Sequence, residues 1–232
     1  MGYSKSIELY EDGIGKVDYV SHMGSDLTVV NSARVSFGVE KDELDDKDRK
    51  LINYLIKHRH TSTLEHNLLT FRFTVPLYVR SQHHRHRTWS YNEISRRYTD
   101  VNIQFYEPKA FRTQHKSNRQ ASNAEDLINP VLSCGMYGAG DCEEMVMLHH
   151  QMSLDLYNKM IEVGVCREQA RGVLPQNLYT EYYGTVNLSN LLKFIDLRTH
   201  EGAQWEIQKV AEACLEIATD LFPETVGAYR RI

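Results

Sequence analysis

The chain has 232 residues, 41% of them hydrophobic and 25% charged, with a formal net charge of -4 and a sequence pI near 6.3. That apolar content is enough for a real core, and the acidic balance excludes wholesale coating of nucleic acid while leaving room for a local basic site. No run of about 18 apolar residues occurs, which excludes a transmembrane helix, and the opening Met-Gly-Tyr-Ser-Lys-Ser lacks an apolar signal stretch. Cys134, Cys142, Cys166 and Cys214 have no C-x-x-C spacing, so free thiols in a reducing cytosol, and a cytoplasmic protein, are expected.

In chain order, Ile7, Leu9 and Val17-Asp-Tyr-Val20 flank Glu-Asp-Gly-Ile-Gly, which predicts two short strands around a turn. Ser25 is placed to cap a short helix to about Arg34. Leu44, Leu51, Ile52, Leu55 and Ile56 recur at helical spacing behind an acidic first turn, predicting a helix over 42–59. Ser62-Thr-Leu-Glu65 then fits a capping box, so Glu65 is either a cap or a ligand. Leu69, Phe71, Phe73 and Val75 alternate with polar residues, the pattern of a half-buried strand. Pro76 ends that strand and suits a helix start; the helix should carry Tyr78, Gln82 and Arg85 forward. Residues 112–142 read as a loop-rich excursion. Asp141 to Val163 is the longest amphipathic helix, striped by Met145, Leu148, Met152, Leu156 and Met160, with Gly164 at its cap. Shorter helices are expected over 166–174, stopped by Pro175, over 187–197 and over 204–221. With no internal repeat and no separating linker, one α+β domain over 1–232 is the economical architecture, an antiparallel sheet with long amphipathic helices.

One stretch concentrates positive charge. Arg80 to Tyr98 holds five Arg, three His and a single acid, Glu93, with Trp89, Tyr91 and Tyr98 between them. Fixed cations beside flat rings and hydroxyls suit a ligand carrying phosphate and an aromatic base. Arg85, His86 and Arg87 cannot share one face in either a helix or a strand, so the triplet splits its donors between two directions, as a junction between two ligands or two subunits would require. A merely solvated basic face competes with that reading.

Other chemistries fit less well. The histidine sets His58, His60, His66 and His83, His84, His86 lack H-E-x-x-H or paired-Cys spacing, so no metal site is expected. Two arginines following Ser95 suggest a phosphate-binding hydroxyl rather than an activated nucleophile. No recognised nucleic-acid module is present. A non-catalytic nucleotide-binding regulator and a metal-dependent phosphohydrolase are the alternatives to a nucleotide enzyme.

Arg85-His-Arg followed after seven residues by Ser95 resembles the signature of the flavin-dependent thymidylate synthases. The resemblance extends over Ala33-Arg-Val-Ser-Phe37, His60-Thr-Ser-Thr-Leu-Glu-His66, Gln82, Ser90 to Tyr98, Ala170-Arg-Gly-Val-Leu-Pro175, Thr185-Val-Asn187, Asp196-Leu-Arg198 and Ala203-Gln-Trp-Glu206, in family order across most of the chain. It implies a homotetramer with active sites between subunits. It also implies methylation of dUMP to dTMP with carbon from 5,10-methylenetetrahydrofolate and hydride from FAD reduced by NADPH. By the same resemblance Gln82, Arg85, Glu93, Ser95, Arg96, Arg97 and Arg171 would line the dUMP site, with Arg198 against the uracil ring as its activator. His60, Ser62, Arg85, His86, Arg87, Glu93 and Asn187 would contribute to the FAD site. Neither nucleic acid nor membrane is implied as a partner. The chain departs from its relatives where an Arg usually stands two residues after Asn187, here Ser189, and where Asn or His is common, here Lys193; a lysine one helical turn from Ser189 can supply the missing charge. Ser81 likewise stands where Arg is frequent, with Arg80 beside it.

Overall fold

The computed structural model describes residues 2–231 and, of Met136, the backbone; Met1 and Ile232, the ends of the expected domain, lie outside the described residues. The Glu-Asp-Gly-Ile-Gly turn joins β1 (Ser6–Glu8) to β2 (Lys16–Met23), as its composition predicts. Ser25 precedes α1 (Asp26–Arg34), and its backbone N–H donates to Thr28 Oγ1 at 3.1 Å. The next helix, α2 (Asp46–Lys57), starts four residues later than expected because Asp45 takes the cap, accepting the N–H groups of Lys47 and Asp48 at 2.8 and 2.9 Å.

The Ser62–Glu65 capping box does not open a helix. A 3-10 turn covers Thr61–Leu64, closed by the Glu65 N–H on Ser62 O at 3.1 Å, and the chain passes directly into β3 (Leu68–Pro76). Three residues separate that turn from a strand whose alternating pattern is strong, leaving no length for a helix. After Pro76 comes α3 (Leu77–His83), which stops two residues short of Arg85, and then β4 (Ser90–Glu93).

Residues 112–142 are a correction to the loop-rich reading. They fall in two hairpins, β5 (Phe111–Gln114) with β6 (Ser122–Ile128), and β7 (Val131–Cys134) with β8 (Gly138–Asp141). Most of their side chains are exposed, so no buried face imposes an alternating pattern on the sequence. The long helix follows as α4 (Cys142–Glu162), capped by Asp141 on the Glu144 N–H at 2.9 Å and ended by Gly164 at φ +91°. Its expected core stripe is only partly buried: His150, Ser153 and Tyr157 face inward, whereas Leu148 and Leu156 are exposed. Then come α5 (Arg167–Ala170), a 3-10 turn over Arg171–Val173, β9 (Tyr179–Asn187), α6 (Leu188–Thr199), α7 (Trp205–Leu221) and α8 (Pro223–Tyr229).

The architecture is α+β. The main sheet has five strands in the order β1-β2-β3-β9-β4, all neighbours antiparallel. One face of β3, through Leu69, Phe71, Phe73 and Val75, packs with α6 and α7 into a single core that includes Leu188, Leu191, Phe194, Ile207, Val210 and Ile217. A smaller cluster of Tyr157, Ala170, Leu174 and Leu178 joins α4 to the turn that carries Arg171. β9 is the strand that matters most for the site. It lies between β3 and β4, pairing Gly184 with Phe71 on one side and with Tyr91 on the other, and so fixes the basic stretch to the centre of the sheet.

Candidate active site

The basic stretch is anchored from beneath by a histidine. His83 is fully buried, its Nδ1 2.8 Å from the Tyr182 hydroxyl and its ring edge-on to Phe73 and Trp89 at 4.8 and 4.5 Å. Burial keeps it neutral, far below the ordinary histidine value, with the neighbouring His86, His84 and Arg198 acting in the same direction. Tyr91 ties down the following turn by donating to the carbonyls of His83 and His86 at 3.0 and 3.2 Å. Trp89 is 6% exposed and Tyr91 half-buried, so these two rings serve the core rather than a ligand.

With His83 pinned inward, the triplet separates as its spacing requires: Arg85 and Arg87 are exposed and His86 is half-buried. Arg198, in the last turn of α6, donates from Nε to His86 Nε2 at 3.0 Å and approaches the Gln82 carbonyl at 3.5 Å. An acceptor Nε2 makes His86 the Nδ1–H tautomer. Burial, reinforced by the Arg198 charge, pushes His86 down to about 4, and burial also lowers Arg198 from its ordinary value. Gln82, His86 and Arg198 thus form one cluster.

The remaining expected nucleotide ligands are less gathered. Glu93 Oε1 accepts from Thr180 Oγ1 at 2.6 Å and lies 3.1 Å from Arg80 Nε, so this lone acid orders Arg80. Ser95 Oγ accepts the Arg97 N–H at 3.3 Å, and Arg96 donates to the carbonyls of Val101 and Asn102 at 2.6 and 3.2 Å. Arg97 lies over the exposed Tyr98 ring at 5.6 Å. Arg171 is exposed on its 3-10 turn. Among the described residues, no hydrogen bond or ion pair to another side chain holds Arg85, Arg87 or Arg171.

A cavity of about 560 Å³ opens between α2 and α6, lined in part by Lys57, Arg59, His60, Ser189, Lys193 and Asp196. His60, Ser189 and Lys193 therefore meet in one place. Arg59 adopts φ +57°, a left-handed conformation uncommon for a side-chain-bearing residue, at the turn that aims His60. Asn187 stands at the N-cap of α6, its Oδ1 accepting the Asn190 N–H at 2.9 Å, and Ser62 is exposed on the neighbouring 3-10 turn. Lys57, Arg59 and Tyr229, whose hydroxyl donates to Asp196, were not singled out by the sequence. The two cations lie at the exposed end of a well-patterned helix, where such residues are ordinary.

The sequence matches a model of the family described as "Thymidylate synthase complementing protein" over residues 18–224. Among curated relatives, a flavin-dependent thymidylate synthase from Thermus thermophilus is 42% identical over 215 residues, covering 93% of this chain and 75% of that one. The chain belongs to the flavin-dependent thymidylate synthases. Another member, from Thermotoga neapolitana, is 39% identical over 219 residues and covers 93% of this chain and 90% of its own. A solved UMP/dUMP methylase, PolB from Streptomyces cacaoi bound with 5-Br dUMP, shares 34% identity at a TM-score of 0.79, covering 97% of this chain and 98% of that one. As in any member of a flavin-dependent family, a flavin has to be accommodated, and the donor set suits one. Lys57, Arg59 and Lys193 line one cavity and none is ion-paired among the described residues, which is the chemistry a diphosphate-bearing cofactor needs. No helix among the described residues is long and apolar enough to cross a membrane.

Proposed function

We propose that the chain converts dUMP to dTMP, with 5,10-methylenetetrahydrofolate as carbon donor and FAD reduced by NADPH as reductant, and that it works as a homotetramer. The observation that carries this reading is Arg198: a half-buried guanidinium with no carboxylate partner among the described residues, aligned on the neutral His86 at 3.0 Å beside Gln82. Carbon 5 of uracil is a poor nucleophile. A cation held near N3 and a ring carbonyl lowers the N3 pKa and pushes electron density toward carbon 5. His86 can hold Arg198 without neutralising it, because an unprotonated imidazole accepts a hydrogen bond and carries no charge.

The reading assigns no thiol to the chemistry. Cys214 is buried and burial pushes its thiol up, while Cys134, Cys142 and Cys166 lie on the second hairpin, at the start of α4 and before α5. Arg85, Ser95, Arg96, Arg97 and Arg171 would hold the phosphate dianion, with Glu93 ordering the arginine side through Arg80. His60, Ser62, Arg87 and Asn187, with Lys57, Arg59 and Lys193, would hold FAD; Glu93 and Arg85 would serve where the two ligands meet. Bound flavin, once reduced, supplies the hydride. His86 and Arg87 would steady the negative charge that a reduced flavin carries.

Purified protein is expected to be yellow and to bleach on addition of NADPH. Turnover should require methylenetetrahydrofolate, and UMP belongs in the assay beside dUMP because the S. cacaoi relative is described as a methylase of both. Arg198→Ala should lower kcat by about 100-fold or more while leaving phosphate-anchored dUMP binding largely intact. A colourless protein that takes up no added FAD, or an Arg198→Ala enzyme with unchanged kcat, overturns the reading.

A further inference from the structure

One polar relay leads from Gln82 through residues to which the reaction just described gives no part. Gln82 Nε2 donates to Gln204 Oε1, Gln204 Nε2 donates to Glu206 Oε2 at 2.8 Å, and the two Glu206 oxygens accept from Arg112 Nη2 at 2.7 and 2.9 Å. Glu206 is 3% exposed, at the first turn of α7. Arg112 reaches it from the first hairpin, its own Nε donating to Ser122 Oγ at 3.0 Å and its guanidinium lying over the Trp205 ring at 5.4 Å.

The order of donors along this relay is forced. A carboxylate paired with an arginine only accepts, so Gln204 must turn its NH2 toward Glu206 and its carbonyl toward Gln82. Gln82 must then turn its own NH2 toward Gln204. Its carbonyl oxygen is left facing the other way, and among the described residues no protein donor reaches it. An unconstrained glutamine can present either end of its amide; the direction of this one, with its carbonyl free of the relay, is set by a residue two links away.

We propose that Glu206, acting through Gln204, sets the Gln82 carboxamide as a hydrogen-bond acceptor for the nucleotide, making Gln204 and Glu206 positioning residues and Arg112 their anchor. This rests on the nucleotide site proposed above. The ligand chemistry is a hydrogen-bond donor, and the base and sugar of dUMP have two: the N3–H and the 3′-hydroxyl. A cytosine ring lacks the first, and a 2′,3′-dideoxy sugar lacks the second.

The test is calorimetric binding of dUMP, dCMP and 2′,3′-dideoxyuridine 5′-monophosphate to flavin-loaded protein, for wild type, Glu206→Gln and Gln204→Leu. Wild type should penalise at least one analogue, and which one identifies the donor. Glu206→Gln frees the relay to reverse, and should shrink that penalty by about tenfold, the worth of one buried hydrogen bond made or left unmade. Gln204→Leu cuts the link without disturbing the buried Arg112–Glu206 pair, so it serves if the first variant does not fold, and should shrink the same penalty. General loosening of the site would weaken all three ligands together and leave their ratios alone. Unchanged ratios in a folded Gln204→Leu protein overturn the relay but not the nucleotide site; a wild-type protein that binds no uridylate overturns both.

Discussion

His86 and Arg198 show how two cationic side chains coexist in a half-buried place. Each ordinarily carries a proton near neutrality or above, and both charged at 3.0 Å would repel. Burial, and then the arginine, hold the imidazole neutral down to about 4. In the unfolded chain the same imidazole titrates at about 6.5. Between those two values the unfolded state binds a proton that the folded state refuses, so this residue makes the fold progressively less stable as pH falls from about 6.5 to about 4, with no further loss below. Arg198→Ala removes the second cause and keeps the first. The His86 value, followed by NMR titration, should rise but stay below the ordinary histidine range; no rise would mean that Arg198 does not face this ring. Arg198 and His86 were picked out in the sequence through the family resemblance, which runs over Arg85-His-Arg and Asp196-Leu-Arg198, and the structure brings the two side chains together. Arg59 and Lys57 were not, since nothing in a run of exposed basic residues distinguishes a cavity wall from an ordinary helix end.

At the scale of elements, legibility followed burial. β3, α6 and α7 bury one continuous face, and their periodicity announced them. β9, the strand that ties the basic stretch to the sheet, escaped notice although Thr180, Tyr182, Gly184 and Val186 alternate inward. The glycine interrupts the apolar pattern, and Glu181 and Tyr183 are compatible with a loop. That glycine is where the strand is most constrained. A Cβ on Gly184 would sit 2.8 Å from Phe73 Cε2 and 3.2 Å from Trp89 Cε3, both in the packed core beneath the site. Gly184→Ala should therefore destabilise the protein by about 1–3 kcal/mol through overpacking, read from denaturant midpoints. Because Gly184 pairs with Tyr91, which holds the carbonyls of His83 and His86, the variant should also weaken nucleotide binding. A variant as stable as wild type would mean the two rings can move aside. The two hairpins of 111–141 escaped for the opposite reason: with little buried, they leave no periodic trace, and their polar sequence reads as loop.

At the scale of the molecule, one chain leaves the expected nucleotide ligands unevenly provided for. Arg198 stands on α6, whose apolar face lies in the main core, whereas Arg171 stands on the 3-10 turn that the small cluster joins to α4. Arg85, Arg87 and Arg171 are exposed, and so are Val35 and Phe37 of the Ala33–Phe37 stretch, at 72% and 84%. Unpaired cations and exposed large apolar side chains are the features that association between copies would cover. The homotetramer proposed above predicts sedimentation at about four times 27.0 kDa. If Arg171 and Arg198 of one site come from different subunits, Arg171→Ala and Arg198→Ala enzymes, each inactive alone, should complement one another. In tetramers assembled from equal amounts of both, random pairing leaves about a quarter of the sites with both arginines intact. If both come from one chain, every site lacks one or the other and no activity returns. Recovery to about that fraction, measured after co-refolding and lost again when the two variants are assembled separately, would place the reaction between subunits; its absence would confine the site to a single chain.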